Sequence, residues 1–174
     1  MRRKLAGLAD AELVALARTH PRRRDAFEEL ARRHLSALHG YCFRICMDAE
    51  TAADCAQEAM VRAWLRIGEL RDDGRFGAWL RRIATRLCLD AMRRGRREEG
   101  LADERMTPDD GLSPDDAVLL RQVMASLTPE ERVMIALRAD GARWREVADA
   151  LGISESAARM RGSRLMKRLE EVVA

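Results

Sequence analysis

The polar residues best placed to do chemistry lie in the last helical segment of this 174-residue chain. Five basic residues and no acid lie between Arg159 and Arg168. At helical spacing, one face of the segment carries Ser156, Met160, Ser163, Arg164 and Lys167, flanked by Arg159 and Arg161. Short side chains let a helix approach a major groove closely, and arginines donate hydrogen bonds to guanine edges and phosphates. The pattern favours binding of duplex DNA over a basic face that is merely solvated.

The residues before this segment form a helix-turn-helix pattern that would present it to a groove. A helix predicted over about 144–151 ends at Gly152, which permits a tight turn, while Ile153 fills the corner and Ser154 caps the next helix. The face of the second helix that is expected to pack against the core carries Ala158, Gly162, Leu165 and Leu169. Ordinary helical hairpins produce similar patterns, so the basic face is needed to indicate DNA.

A second basic segment lies in the middle of the chain. Residues 75–97 contain eight arginines and one acid, Asp90. Arginines at 75, 82, 86, 93 and 94 form a stripe beside Phe76 and Trp79. Such a stripe suits a groove that follows the backbone of single-stranded nucleic acid. The spacing of the two aromatic residues instead predicts that they pack in the core.

The charge then inverts over residues 98–116, which hold eight acids and one base. This stretch also contains two glycines and two prolines and lacks apolar periodicity, which predicts a flexible acidic linker over 98–113. Sixteen residues span at most roughly 50 Å when extended. The expected organisation is therefore a domain over 1–97, the linker, and a domain over 114–174.

Both halves have the apolar periodicity of helices, so the predicted fold class is all-α, with two helical domains joined by the linker. In the first half, Asp48 and Thr51 offer a helix start, with Asp54 as the acid of a capping box at Thr51. In the second half, Thr128 and Ser113 are predicted N-caps. No apolar run approaches the 18 residues of a membrane span, and acids at 10 and 12 argue against a signal peptide.

The four cysteines, Cys42, Cys46, Cys55 and Cys88, form no CxxC pair. Cys42 falls on a stripe with Leu35, Leu38 and Ile45, which favours reduced thiols packed in a core over zinc binding or redox sensing. We find no carboxylate cluster, glycine-rich phosphate loop or nucleophile constellation. The expectation is therefore no catalytic residue, no metal and no cofactor, which argues against an enzyme.

Taken together, the two halves resemble a known family. Residues 51–64 (TAADCAQEAMVRAW), 76–84 (FGAWLRRIA) and 90–94 (DAMRR) resemble region 2 of the extracytoplasmic-function, or group IV, sigma factors of bacterial RNA polymerase. Residues 127–132 (LTPEER) and 144–154 (WREVADALGIS), with the segment reaching Leu169, are similar to their region 4. The resemblance covers nearly the whole chain in the right order.

The resemblance implies roles for three sets of residues. A core polymerase-binding set would dock on the clamp helices of the largest subunit and comprises Asp54, Gln57, Glu58 and Arg62. A −10 set would read melted DNA and comprises Leu70, Arg71, Arg75, Arg82, Arg86, Asp90, Arg93 and Arg94. The −35 set is the basic face already described: Ser156, Arg159, Met160, Arg161, Ser163, Arg164 and Lys167.

The implied partners are RNA polymerase core, with its flap for region 4, promoter DNA and an anti-sigma factor. The implied location is the cytoplasm, and the acidic linker would run through polymerase channels that otherwise hold nucleic acid. The alternative is a helix-turn-helix regulator that binds duplex DNA without polymerase, but this leaves the first half unexplained. A requirement for core polymerase separates the two hypotheses.

Four positions depart from the family pattern. Arg86 stands where Asn is frequent, and Leu70 stands where an aromatic residue is frequent. Gly162 replaces a bulky apolar residue, and Ser163 replaces a larger one. Glycine costs a helix about 1 kcal/mol relative to alanine. Gly162 therefore predicts either a closer helix approach or a weaker region 4, and the −10 and −35 preferences are expected to be unusual.

Overall fold

The computed structural model describes residues 5–19, 24–98 and 114–173, and these contain helices and no β-strand. The helices are α1 (Asp10–Thr19), α2 (Arg24–Cys46), α3 (Ala49–Arg66), α4 (Phe76–Glu98), α5 (Pro114–Ala125), α6 (Pro129–Ala139), α7 (Trp144–Leu151) and α8 (Glu155–Val173). Short 3₁₀ turns at Ile67–Glu69 and Asp73–Arg75 join α3 to α4. The all-α prediction is confirmed.

Helices α1 to α4 form a bundle around an aromatic centre. The Phe27 ring packs edge-on against Trp64, with 5.0 Å between ring centroids, and against Phe76 at 6.2 Å. Phe76 is fully buried, and Trp79 is half-buried with its ring 6.2 Å from that of Phe76. The prediction that these two aromatic residues belong to the core is confirmed.

Two local predictions in this half were wrong. Helix α3 begins at Ala49 because the Asp48 carboxylate accepts a 2.7 Å hydrogen bond from the Thr51 N–H. Thr51 is therefore inside the first turn, and Asp54 is exposed on the helix surface instead of closing a capping box. Leu35 is 41% exposed, because the neighbouring helices cover the adjoining side of α2, where Leu38 is buried.

The second half follows the predicted punctuation closely. Thr128 and Glu131 form a reciprocal capping box at the start of α6. Gly152 ends α7 with φ of +68°, a left-handed conformation that favours glycine. The stripe predicted to face inwards on α8 does so, with Ala158, Gly162 and Leu165 buried and Leu169 half-buried. Helix α4 includes Glu98, while the rest of the predicted linker and the proposed Ser113 cap lie outside the described residues.

The two halves pack against each other, with α6 on α2. The Arg132 guanidinium is buried and donates to the carbonyl oxygens of Met124 at 2.9 Å and, across the boundary, Ile45 at 3.4 Å. Asp140 then forms ion pairs with Arg44 at 3.3 Å and Arg81 at 3.5 Å, both from the first half. These contacts bring the second half close to the basic face of α4.

Candidate functional site

The basic face of α8 is fully presented to solvent. All seven residues of the predicted −35 set are exposed, and they lie opposite the buried stripe of the same helix. The Ser154 hydroxyl accepts a 3.2 Å hydrogen bond from the Ala157 N–H and caps the helix start, as predicted. Arg159 forms an ion pair with Glu155 at 2.6 Å. Met160, which is 51% exposed, places an apolar side chain among the basic side chains of this face.

Gly162 is the point where α7 and α8 come into contact. A Cβ atom at this position would lie 2.0 Å from Cη2 and 2.6 Å from Cζ3 of Trp144. The indole also carries the Arg138 guanidinium, 4.9 Å from the ring centroid, in a cation–π contact. Of the two interpretations of Gly162, a closer helix approach is the one that the structure shows.

An ion pair holds the second half of α8 against α6. The Arg168 guanidinium donates to Glu131 at 2.7 Å. Burial raises the pKa of Glu131, but hydrogen bonds from the Thr128 N–H and Arg168 act in the opposite direction, and the net pKa lies below the usual range. The capping box of α6 and Arg168 of α8 therefore share the Glu131 carboxylate, which orients α8 relative to α6.

The outer face of α3 carries the predicted polymerase-binding set, and all four of its residues are exposed. The Arg62 guanidinium donates to Glu58 at 2.7 Å, a pair one helical turn apart. Two apolar residues on the same face were not predicted: Val61 is 52% exposed and Leu65 is 74% exposed. The sequence contained a signal for both residues, because they lie three and seven residues after Glu58 and residues at this spacing share a helix face.

The predicted −10 set is brought together on α4 and on the loop before it. Seven of its eight residues are exposed, whereas the Leu70 side chain is 6% exposed and belongs to the core. Sequence reasoning missed Arg18 of α1, which positions this loop. Its guanidinium donates to the Leu70 carbonyl at 2.7 Å and to Asp73 at 2.6 Å. Leu70 directly follows the first 3₁₀ turn and Asp73 begins the second, so the two bonds hold the segment between the turns close to the bundle.

Acids from the second half face the arginines of this surface. Arg75 lies 3.7 Å from Glu146, and Arg93 lies 3.8 Å from Glu130. Between α4 and the α6–α7 corner is a cleft of about 710 Å³, with Arg71, Arg75 and Arg82 on one side and Asp140, Glu146 and Asp149 on the other. Sequence reasoning missed these acids because they are separated from the arginines by the whole predicted linker.

Among the helices that the structure describes, none is long and apolar enough to cross a membrane.

Comparison with known proteins identifies both halves. Residues 30–98 match the Sigma-70 region 2 family, and residues 117–169 match the Sigma-70 region 4 family. The ECF RNA polymerase sigma factor SigM of Mycobacterium tuberculosis is 30% identical over 168 residues, which cover 95% of this chain and 85% of SigM. SigW of Bacillus subtilis is 29% identical, over 66% of this chain and 70% of SigW.

Solved structures show the same architecture. The sigma factor RpoE of Bartonella quintana, bound to the anti-sigma factor NepR, superposes with a TM-score of 0.70 at 23% identity, covering 84% of this chain and 96% of RpoE. CnrH, in complex with the cytosolic domain of CnrY, has a TM-score of 0.68 at 25% identity, covering 95% of this chain and 97% of CnrH.

The matches account for both halves in the order predicted, so a regulator that works without polymerase is not favoured. The chain belongs to the extracytoplasmic-function sigma factors of RNA polymerase.

Proposed function

We propose that this sigma factor binds polymerase core through the outer face of α3, reads −35 duplex with α8 and holds the melted −10 strand on α4. The corresponding division is region 2 over 1–97, a linker over 98–113 and region 4 over 114–174. The observation that carries the proposal is the exposure, on one chain, of a helix-turn-helix basic face and a partly apolar helix face. The role is that of a non-enzymatic specificity subunit acting in the cytoplasm.

The α3 face has the composition of a partner surface. Leu65 is 74% exposed and adjoins Val61, which is an unfavourable arrangement unless a partner covers them. Glu58 and Arg62 lie beside the apolar pair and keep the face compatible with water when it is unbound. Apolar anchors surrounded by charges supply affinity, while the charges select the partner and speed its association. The clamp helices of the largest polymerase subunit are the partner that we assign to this face.

On α8, the charged and apolar residues have different tasks. Arg164 and Lys167 extend from the exposed face and reach phosphates or guanine edges, where an arginine can donate two parallel hydrogen bonds. Met160 can contact a thymine methyl group, which is the apolar feature of the major groove. Ser163 is short and lets the helix backbone come near the bases.

On α4, the exposed arginines form a track for a strand backbone, and each phosphate contact makes binding more sensitive to salt. Arg86 is exposed on this track, at a position where the family often has Asn. A guanidinium has only donors, whereas an amide has donors and an acceptor. The base selected at the corresponding −10 position should therefore differ from that of relatives with Asn.

An anti-sigma factor is the proposed regulator. RpoE is solved with the anti-sigma factor NepR, and CnrH with the cytosolic domain of CnrY. The similarity of this chain to both supports an anti-sigma factor as its regulator.

Run-off transcription with purified bacterial core polymerase on a pool of random promoter fragments tests the proposed function. Transcripts should appear only when this protein is added, and their aligned upstream sequences should contain a −35 and a −10 element. Arg164→Ala should weaken selection within the −35 element and leave binding to core unchanged. The matched control is Arg32→Ala, which removes an exposed arginine of α2 that belongs to neither the −35 set nor the −10 set.

If no transcript depends on the protein, and it binds duplex DNA alone but does not bind core, the chain acts as a helix-turn-helix regulator and the proposal is wrong.

A further inference from the structure

All four cysteines of the chain converge in one part of the region 2 core. Cys46 ends α2, Cys55 lies on α3 and Cys88 lies on α4. Their Sγ atoms all lie within 4.8 Å of one another, and the residues are 4%, 6% and 0% exposed. Cys42, one turn before Cys46, is also fully buried.

We propose that Cys46, Cys55 and Cys88, with Cys42 as a fourth thiol, form a site for one thiophilic divalent cation, with Zn²⁺ as the natural occupant. This reverses the expectation from sequence, which favoured core packing for the cysteines. The proposal is independent of the promoter and polymerase contacts, since it involves none of the residues assigned to them.

The sulfur geometry is close to that of a tetrahedral thiolate site. Zinc–sulfur bonds of about 2.3 Å place the sulfur atoms of such a site roughly 3.8 Å apart. The observed upper separation of 4.8 Å for three sulfur atoms therefore needs an inward movement of about 1 Å, which χ1 rotation of a cysteine can supply. Three or four sulfur ligands are the set that selects zinc among common divalent cations.

The distribution of the cysteines also favours a site over simple packing. Other small positions along the same inner surface of α3 are alanines, including Ala52, Ala56 and Ala59, all buried. Alanine thus fills this core wherever a small apolar group suffices. The thiols instead occur on three helices that meet in the core, and all four are free and buried.

The connection between α2 and α3 brings two of the ligands together. Met47, directly after Cys46, has φ of +60°, which is uncommon for a residue with a side chain. Its N–H donates to the Phe43 carbonyl at 2.9 Å and closes α2. The chain therefore reverses within two residues, Met47 and Asp48, and α3 returns along α2 with Cys55 beside Cys46.

The three proposed ligands come from three different helices, since Cys46 ends α2, Cys55 lies on α3 and Cys88 lies on α4. Cys46 and Cys55 are 4% and 6% exposed, so neither residue is completely sealed from solvent. A bound cation would connect α2, α3 and α4, and so fix the polymerase-binding helix relative to the −10 helix.

The test uses the full, reduced chain after treatment with a chelator. Titration with Cd²⁺ should give a thiolate-to-cadmium charge-transfer band that saturates at one equivalent, and it should do so after Zn²⁺ has been added first, because the softer Cd²⁺ binds thiolates more tightly than Zn²⁺. Binding should release protons, because the thiols must be deprotonated to coordinate. Cys55→Ser should abolish the stoichiometric band. Met60→Leu, which removes another buried sulfur from α3 but no thiol, is the matched control and should bind like the unaltered chain.

A second measurement uses only the unaltered chain, so it does not require any cysteine variant to fold. The rate at which the native thiols react with an aromatic disulfide reagent should fall at least tenfold when one equivalent of Zn²⁺ is present. Unchanged thiol reactivity with Zn²⁺, or an undiminished Cd²⁺ band in a folded Cys55→Ser chain, overturns the proposal. Absence of a charge-transfer band in the reduced unaltered chain also overturns it and leaves the cysteines as packing residues.

Discussion

Gly162→Ala is the substitution for which the structure makes the sharpest prediction. The added Cβ would lie 2.0 Å from the Trp144 ring, well inside van der Waals contact. Movement of the ring away from the added Cβ would also disturb its cation–π contact with Arg138, 4.9 Å from the centroid. Overpacking of this kind costs about 1–3 kcal/mol, against a gain of about 1 kcal/mol from replacing glycine in a helix. The expected net effect is a loss of up to about 2 kcal/mol in the free energy of unfolding.

The assay is urea-induced unfolding of the full chain, followed by binding of a −35 duplex. Gly95→Ala on α4 is the matched control, because nothing lies within 4 Å of a Cβ atom added there. That control should stabilise the helix by about 1 kcal/mol. Gly162→Ala should also weaken duplex binding, because moving Trp144 rotates the recognition helix relative to α7.

The decisive comparison is the same change in a Trp144→Leu background. Removing the indole removes the clash, so Gly162→Ala should then stabilise the chain by about 1 kcal/mol, as an ordinary helix substitution does. A destabilisation of equal size in both backgrounds would refute the contact between Gly162 and Trp144. So would stabilisation of the unaltered background by Gly162→Ala.

Three further predictions follow from the same structure. Leu65→Ala should weaken binding to core polymerase at least tenfold with unchanged stability, measured by competition with another sigma factor, while Leu35→Ala, an exposed leucine on α2, should bind normally. Glu131→Gln should cost about 1 kcal/mol at neutral pH, a typical value for a helix cap. Because the folded-state pKa of Glu131 is lowered, its contribution is present above the unfolded pKa of about 4.3 and is lost as the pH falls through the folded pKa. The difference between the two proteins in urea unfolding should therefore vanish in acid, and a pH-independent difference would contradict this role. Glu146→Gln should strengthen binding of a −10 single strand by free protein at low salt, because Arg75 loses a competing anion 3.7 Å away; equal affinity in both proteins would argue against competition.

Local patterns in the sequence were sufficient for most of the elements. The capping box at Thr128, the left-handed stop at Gly152 and the inward stripe of α8 are decided by neighbours within one or two turns. Exposure of the −35 face follows from that stripe, since residues opposite a buried row of a surface helix face water. The family resemblance rests on the same short segments and was confirmed by the matches over both halves.

Features that depend on packing between distant segments could not be predicted. Helical periodicity placed Leu35 on the buried stripe, but only the position of neighbouring helices decides how wide that stripe is. Leu70 is buried because Arg18, more than fifty residues earlier, holds its loop against the bundle. The Gly162 departure became interpretable only when the Trp144 ring was found against it.

The same distinction applies to charge and to the thiols. The sequence shows that acids and arginines are segregated along the chain, but the pairing of Arg75 with Glu146 and of Arg81 with Asp140 depends on how the halves meet. Three cysteines separated by 9 and 33 residues carry no recognisable metal-ligand spacing. The close turn after Cys46 and the packing of α4 bring their sulfur atoms together, because tertiary contacts set distances that sequence separation leaves open.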